Sequence, residues 1–187
     1  GDAILTATAR KPGLANGRTA DGIYQDFVRQ VTGLPKFNAK SKCMIALAFI
    51  TPRVDSPMES KTRIATTKYG LPPAVTNYTV PGATFTNGAP ITLDLAWPEF
   101  RVAIEYDGDH HRTDKNQWRR DNDKRELLRH HHWIVIIATA ANMADEPSQA
   151  ELAYRVGRQL ALRGAVFDFT LTATPLDELA RRRRRRV

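Results

Sequence analysis

The feature that most constrains this 187-residue chain is a change of hydrophobic period near its middle. From Val75 onward apolar residues recur every second position, and the run ITLDLAWPEFRVAIEYDG (91–108) is the densest part of that pattern. Such alternation reads as strand, because successive side chains of an extended chain point to opposite faces. Ile91 to Trp97 and Arg101 to Tyr106 are two strands, and the short link at Pro98-Glu99 makes them an antiparallel hairpin. Val75 to Val80 reads as an earlier strand, with Asn87-Gly88 as the turn signal between them. A charged helix follows, Asp114 to about His131, and then Trp133 to Ala138, apolar and β-branched as a buried strand requires. Pro147 to Arg163 is expected to close the domain as a helix, with Leu152, Val156, Leu160 and Ala161 inward. This order packs naturally as an α/β domain, one sheet with helices on its faces.

Upstream, Ser56-Pro57-Met58-Glu59 is a helix start: a capping serine, proline at the first helical position and glutamate three after the cap. That helix is expected to reach about Tyr69, where Gly70-Leu71-Pro72-Pro73 stops it. Ala20 to Thr32 and Ser41 to Ile50 read as two helices of a small N-terminal lobe, and residues 1–19 as an extended lead-in. Val166 to Leu171 is a candidate last strand. Cys43, inside an apolar run, is expected to be a buried, inert thiol; a single cysteine excludes an internal disulfide framework and a four-cysteine zinc site.

Lys and Arg outnumber Asp and Glu by 28 to 20, and the sequence pI is near 9.9, a balance that favours a polyanionic partner such as DNA. Six of the excess charges sit in the run Arg181 to Arg186, so the body of the chain is only slightly basic. The longest apolar runs fall well short of the ~20 residues that cross a bilayer. No membrane partner is expected, and the expected location is cytoplasmic.

The chemistry is expected in the hairpin. Asp94 stands inside an otherwise apolar strand, where an ionised carboxylate is costly unless it is paired or metal-bound. Glu105 and Asp107 share one face of the next strand, about 7 Å apart on the period of two. If the strands pair, Asp94 joins them, and three converging carboxylates repel one another unless a divalent cation lies between. Hard oxygen donors suit Mg²⁺, with Mn²⁺ as a substitute. A turn role for Asp107 before Gly108 is the plain alternative.

The run DLAWPEFRVAIEYDGDHHRTD, preceded by SPMES and followed by a helix and WIVIIAT, resembles the DUF559 family. Its members are related to the very-short-patch-repair (Vsr-like) endonucleases of the PD-(D/E)XK nuclease superfamily. The resemblance implies a PD-(D/E)XK-type core over residues 53–164, a mixed sheet of about four strands, between an N-terminal extension or lobe (1–52) and a C-terminal segment (165–187). It implies a metal-dependent DNA endonuclease hydrolysing phosphodiester bonds, in repair, homing or defence. Asp94 and Glu105 become the principal ligands, Asp107 and His111 match the family's DGxxH element, and Glu59 matches the acid on the helix before the sheet. Glu59 is explained equally well as a helix cap. His111 is a candidate to orient a water, take its proton or contact the phosphate.

The superfamily lysine, two positions after the glutamate, is replaced by Asp107; Lys124 and Arg125 are candidate substitutes by reach, and candidate DNA contacts. Arg181, Arg182 and Arg183 are expected to add phosphate contacts without sequence preference. The family's glycine before the last strand's Trp, and its arginine four residues after that Trp, are His132 and Ile137 here. Two other readings stand beside the nuclease: a catalytically silent nucleic-acid-binding module, and a toxin or defence component acting through a protein partner. One active site cuts one strand per visit, so double-strand cleavage takes a homodimer or two encounters.

Overall fold

The computed structural model describes residues 1–108 and 115–184. These form two compact units, Gly1–Ser60 with the segment from Thr174 onward, and Lys61–Ala173.

The first unit is helical: α1 (Asp2–Arg10), α2 (Pro12–Ala15), α3 (Ala20–Gly33), α4 (Lys40–Leu47), the start of α5 (Pro57–Lys68), and α8 (Leu176–Arg184). The extended lead-in expected for residues 1–19 is therefore corrected to two helices. Pro12 does not break structure there; it occupies the first turn of α2, where a missing N–H costs nothing. Leu5, Ala15 and Ile23 form a small core with Phe27 and Ile50 around it. Asp2 is buried and ties α1 down, accepting from the Thr51 N–H at 3.1 Å and from the Ser60 hydroxyl at 2.8 Å. Cys43 is exposed, contrary to expectation: of α4 only Leu47, one turn further along the same side, is buried.

The second unit carries the sheet: β1 (Val75–Thr84), β2 (Pro90–Trp97), β3 (Val102–Tyr106) and β4 (Ile134–Ala138). Their order is β1-β2-β3-β4, with the first two pairings antiparallel and the β3–β4 pairing parallel. One sheet flanked by helices is what the pattern called for, and it is a mixed sheet of four strands. Pro98–Phe100 is a single 3-10 turn that closes the expected hairpin, with Arg101 at φ 48°. Between β3 and β4 the chain crosses through α6 (Lys115–His130), and α7 (Glu146–Leu162) follows.

The helices are anchored on the sheet by their buried apolar side chains. Leu128 of α6 joins Ala96, Ala103, Ile91, Leu93 and Trp133 in one core cluster. On α7, Leu152, Val156 and Leu160 are fully buried, at i, i+4 and i+8. Residues 166–171 are not a strand: Val166 is 98% exposed and Leu171 75% exposed, and Thr170 donates to the Tyr69 carbonyl at 3.1 Å. Strand-like composition failed there because no sheet edge is paired with it.

Gly70 is the tight point of this segment. Its φ is +86°, and an added Cβ would stand 2.0 Å from the Asp168 carbonyl oxygen. Gly70→Ala is expected to lose about 3 kcal/mol from left-handed strain and the clash together. Urea unfolding measures this, and a loss below about 0.5 kcal/mol, the surface level, would contradict it.

Candidate active site

The sheet register brings the acids together. Leu95 pairs with Ile104 across β2 and β3, so one step further along the same antiparallel ladder Asp94 stands opposite Glu105. Each carboxylate is bonded to the other strand's backbone. Asp94 Oδ2 accepts from the Tyr106 N–H at 2.8 Å, and Glu105 Oε1 accepts from the Asp94 N–H at 3.4 Å. The two side chains are thereby aimed at one place, at the carboxyl ends of parallel β3 and β4, where open α/β sheets usually bind ligands.

Asp107 continues β3 past its assigned end, its N–H donating to the Ala138 carbonyl at 2.8 Å. Its backbone thus extends the parallel pairing beyond Tyr106, which bears on the turn reading set out for it. Asp94, Glu105 and Asp107 line one cleft of about 230 Å³ together with Tyr106 and Gly108.

The opposite wall comes from α6. Asp121, Lys124, Arg125 and Leu128 all line the cleft, at spacings of three and four that put them on one face of the helix. Leu128 is anchored in the core and so sets the rotation of α6, which delivers Lys124 onto Glu105. The Lys124 ammonium donates to Glu105 Oε2 at 2.5 Å, with both side chains about one-fifth exposed. Asp121 was not among the residues singled out from sequence; its i, i+3, i+4 relation to Lys124 and Arg125 is the signal that would have found it.

Burial is the largest influence on Glu105 and raises its pKa from 4.5 to about 7; Lys124 opposes that rise and Asp94 adds to it. The folded chain therefore holds a proton on Glu105 at pH values where the unfolded chain has released it. Stability is then full below about pH 4.5 and declines as pH rises to about 7, by on the order of 3 kcal/mol. Metal-free urea unfolding is expected to show this decline between pH 5 and 8, and Glu105→Gln to flatten it. Parallel pH profiles for the two proteins would refute the assignment.

A divalent cation suits the donors in kind. Among the described residues no three of His, Cys, Asp and Glu gather into a ready metal cage. Mg²⁺, however, is commonly held by one or two carboxylates and keeps several waters. The repulsion that Asp94 exerts on Glu105 is what a shared cation relieves.

Other residues named from the sequence belong to the first unit or lie outside the described residues. Glu59 belongs to the first unit, where its carboxylate accepts from the Asp55 N–H at 2.9 Å and its own N–H is capped by Ser56 Oγ at 3.1 Å. Those bonds account for it as a helix cap. Arg181 and Arg182 lie on α8, each paired one turn back, with Asp177 at 2.8 Å and Glu178 at 2.7 Å. His111 and the side chain of Arg183 lie outside the described residues.

No protein-family model matches the chain, and no solved structure matches it. Uncharacterized proteins from two strains of Mycobacterium tuberculosis are each 29% identical to it over 114 residues. The match takes in 61% of this chain and 40% of each relative, so the chain spans less than half the length of these curated relatives. No described helix is long and apolar enough to cross a membrane.

Proposed function

We propose that the protein is a metal-dependent endonuclease of the PD-(D/E)XK type, similar to the DUF559 and Vsr-like enzymes, that hydrolyses DNA phosphodiester bonds. One observation carries the reading: Asp94 and Glu105, from paired strands, are interlocked through backbone N–H groups in a cleft where Lys124 meets Glu105. An acid on each of two paired strands is the chemistry that the superfamily resemblance implies, and Lys124 on Glu105 brings a lysine to the same place. The lysine comes from α6, because Asp107 occupies its usual place two residues after the glutamate. His132 gives local support, since it sits at φ 61°, in glycine's left-handed region, where the resembled family has glycine.

A divalent cation at Asp94 and Glu105, with Asp107 beside them, would neutralise phosphate charge and make water a stronger nucleophile. The protein's own groups do the rest. Asp94 is held in place by Tyr106, and Glu105 is held between Lys124 and the Asp94 backbone. Lys124 is suited to steady the attacking water, and Arg125 at the rim to hold a phosphate oxygen. His111 is retained as a candidate proton-handling group.

Supercoiled plasmid incubated with the protein and Mg²⁺ or Mn²⁺ is expected to become nicked or linear. Unchanged plasmid with both metals overturns the reading. The second reading, a catalytically silent DNA-binding module, draws on one observation: Lys124 already neutralises Glu105 without any metal. It predicts no rise in melting temperature with Mg²⁺, whereas the nuclease reading predicts a rise.

The arginine tail enters as a non-specific contribution to DNA affinity. Truncation after Ala180 is expected to flatten the salt dependence of binding and leave the cleavage products unchanged. An unaltered slope would make the tail a bystander.

A further inference from the structure

We infer that the open edge of β4 and the adjoining face of α7 form a DNA-backbone track that continues the acidic cleft, with Arg155 and Arg158 as its phosphate-binding side chains. The inference rests on the nuclease reading for its substrate. β4 ends the strand order, so among the described residues one of its edges has no neighbouring strand. The Ile134 N–H donates to the Arg101 carbonyl, and the Ala138 carbonyl accepts from the Asp107 N–H, both toward β3. By alternation the N–H and C=O groups of Val135 and Ile137 point outward.

This one strand divides two cavities. Val135 and Ile137 line the acidic cleft, whereas Ile134 and Ile136 line a second cavity of about 430 Å³ with Tyr154, Arg155, Arg158 and Gln159. A duplex presenting a phosphate to the cleft carries neighbouring phosphates past the strand edge, since its charges follow every ~1.7 Å of axis.

The surface chemistry matches that occupant. Arg155 and Arg158 are exposed on adjacent turns of α7, and neither forms an ion pair among the described residues, although Glu151 lies one turn before Arg155. Tyr154 is 55% exposed and packs roughly edge-to-face with Phe169, ring centroids 6.2 Å apart, leaving a ring able to lie along a backbone sugar. Arginine side chains on phosphate oxygens are a usual means of holding a duplex backbone. A second copy paired edge to edge would set these arginines near their own counterparts, and like charges disfavour that arrangement.

The test uses the full chain with Arg155→Ala/Arg158→Ala, both at exposed positions, and a fluorescently labelled duplex without divalent metal. Anisotropy is expected to show about tenfold weaker binding, with the log–log salt slope reduced by about two, one for each phosphate that an arginine no longer neutralises. An unchanged affinity and slope overturn the track, and so does a variant whose only loss is affinity for a poly-glutamate peptide, which would make the edge an acidic-peptide site. Plasmid cleavage separates the two readings. If the parent cuts plasmid but the variant binds and cuts as the parent does, the track fails and the nuclease reading stands. If the parent never cuts but the variant loses DNA affinity and slope, the track stands and the nuclease reading falls.

Discussion

Asp94→Asn is expected to abolish plasmid cleavage while leaving the fold intact. Asparagine keeps an oxygen that can accept from the Tyr106 N–H, now bonded at 2.8 Å, and removes only the charge. Loss of one electrostatic group of this kind costs at least about 10²–10³-fold in rate. The same substitution removes one of two principal cation donors, so the Mg²⁺-dependent rise in melting temperature should vanish with it. Without metal the variant is expected to be at least as stable as the parent, because Asp94 is one of the charges that raise Glu105. Asp94→Ala is the poorer probe, since it strands the Tyr106 N–H at a cost of about 1–3 kcal/mol. Cleavage at the parental rate, or an undiminished Mg²⁺ shift, would remove Asp94 from the site.

Lys124→Met has the second large expected effect, and its direction in pH is the informative part. The ammonium at 2.5 Å is the main influence holding the Glu105 pKa down against burial. With methionine there, Glu105 rises above about 7 and is largely protonated at neutral pH. Cleavage should fall sharply, and its rising limb should move to higher pH, with added Mg²⁺ recovering part of the loss. Lys124→Arg keeps the charge and should keep the parental limb while changing the rate. A slower Lys124→Met enzyme with an unmoved pH profile would mean that the lysine acts on the substrate without tuning Glu105. His111→Ala adds a useful control, because an unperturbed histidine titrates near 6.5. Persistence of the limb in that variant assigns it to Glu105, whereas its loss assigns it to the histidine.

The sheet was legible because its signals are local. Alternation from Ile91 to Trp97 and from Arg101 to Tyr106, with a link of a few residues, admits one pairing, and that pairing sets Asp94 against Glu105. Trp133 to Ala138 was legible as a buried strand, and the structure pairs it parallel to β3, which the α6 crossover between them allows. Elsewhere local signals misled. Gly and Pro in residues 1–19 suggested an open chain, yet the Asp2 carboxylate holds α1 in place through partners about 50 residues away, and Leu5 packs with Ala15 and Ile23. The apolar run around Cys43 suggested burial, but of α4 only Leu47, at its C-terminal end, is buried, and Cys43 one turn earlier on the same side faces water.

By itself the sequence determined the strands, their hairpin and the acids those strands carry, because a period of two and a short turn leave the backbone almost no choice. Only the tertiary structure decided what meets those acids. Asp121, Lys124 and Arg125 lie on a helix so polar that its own pattern barely marks an inward face, and the burial of Leu128 turns that face onto β3 and β4. The open edge of β4, with Arg155 and Arg158 beside it, was likewise settled by strand order. Packing between elements distant in sequence is a sum of many weak interactions, and no short stretch of residues encodes its outcome.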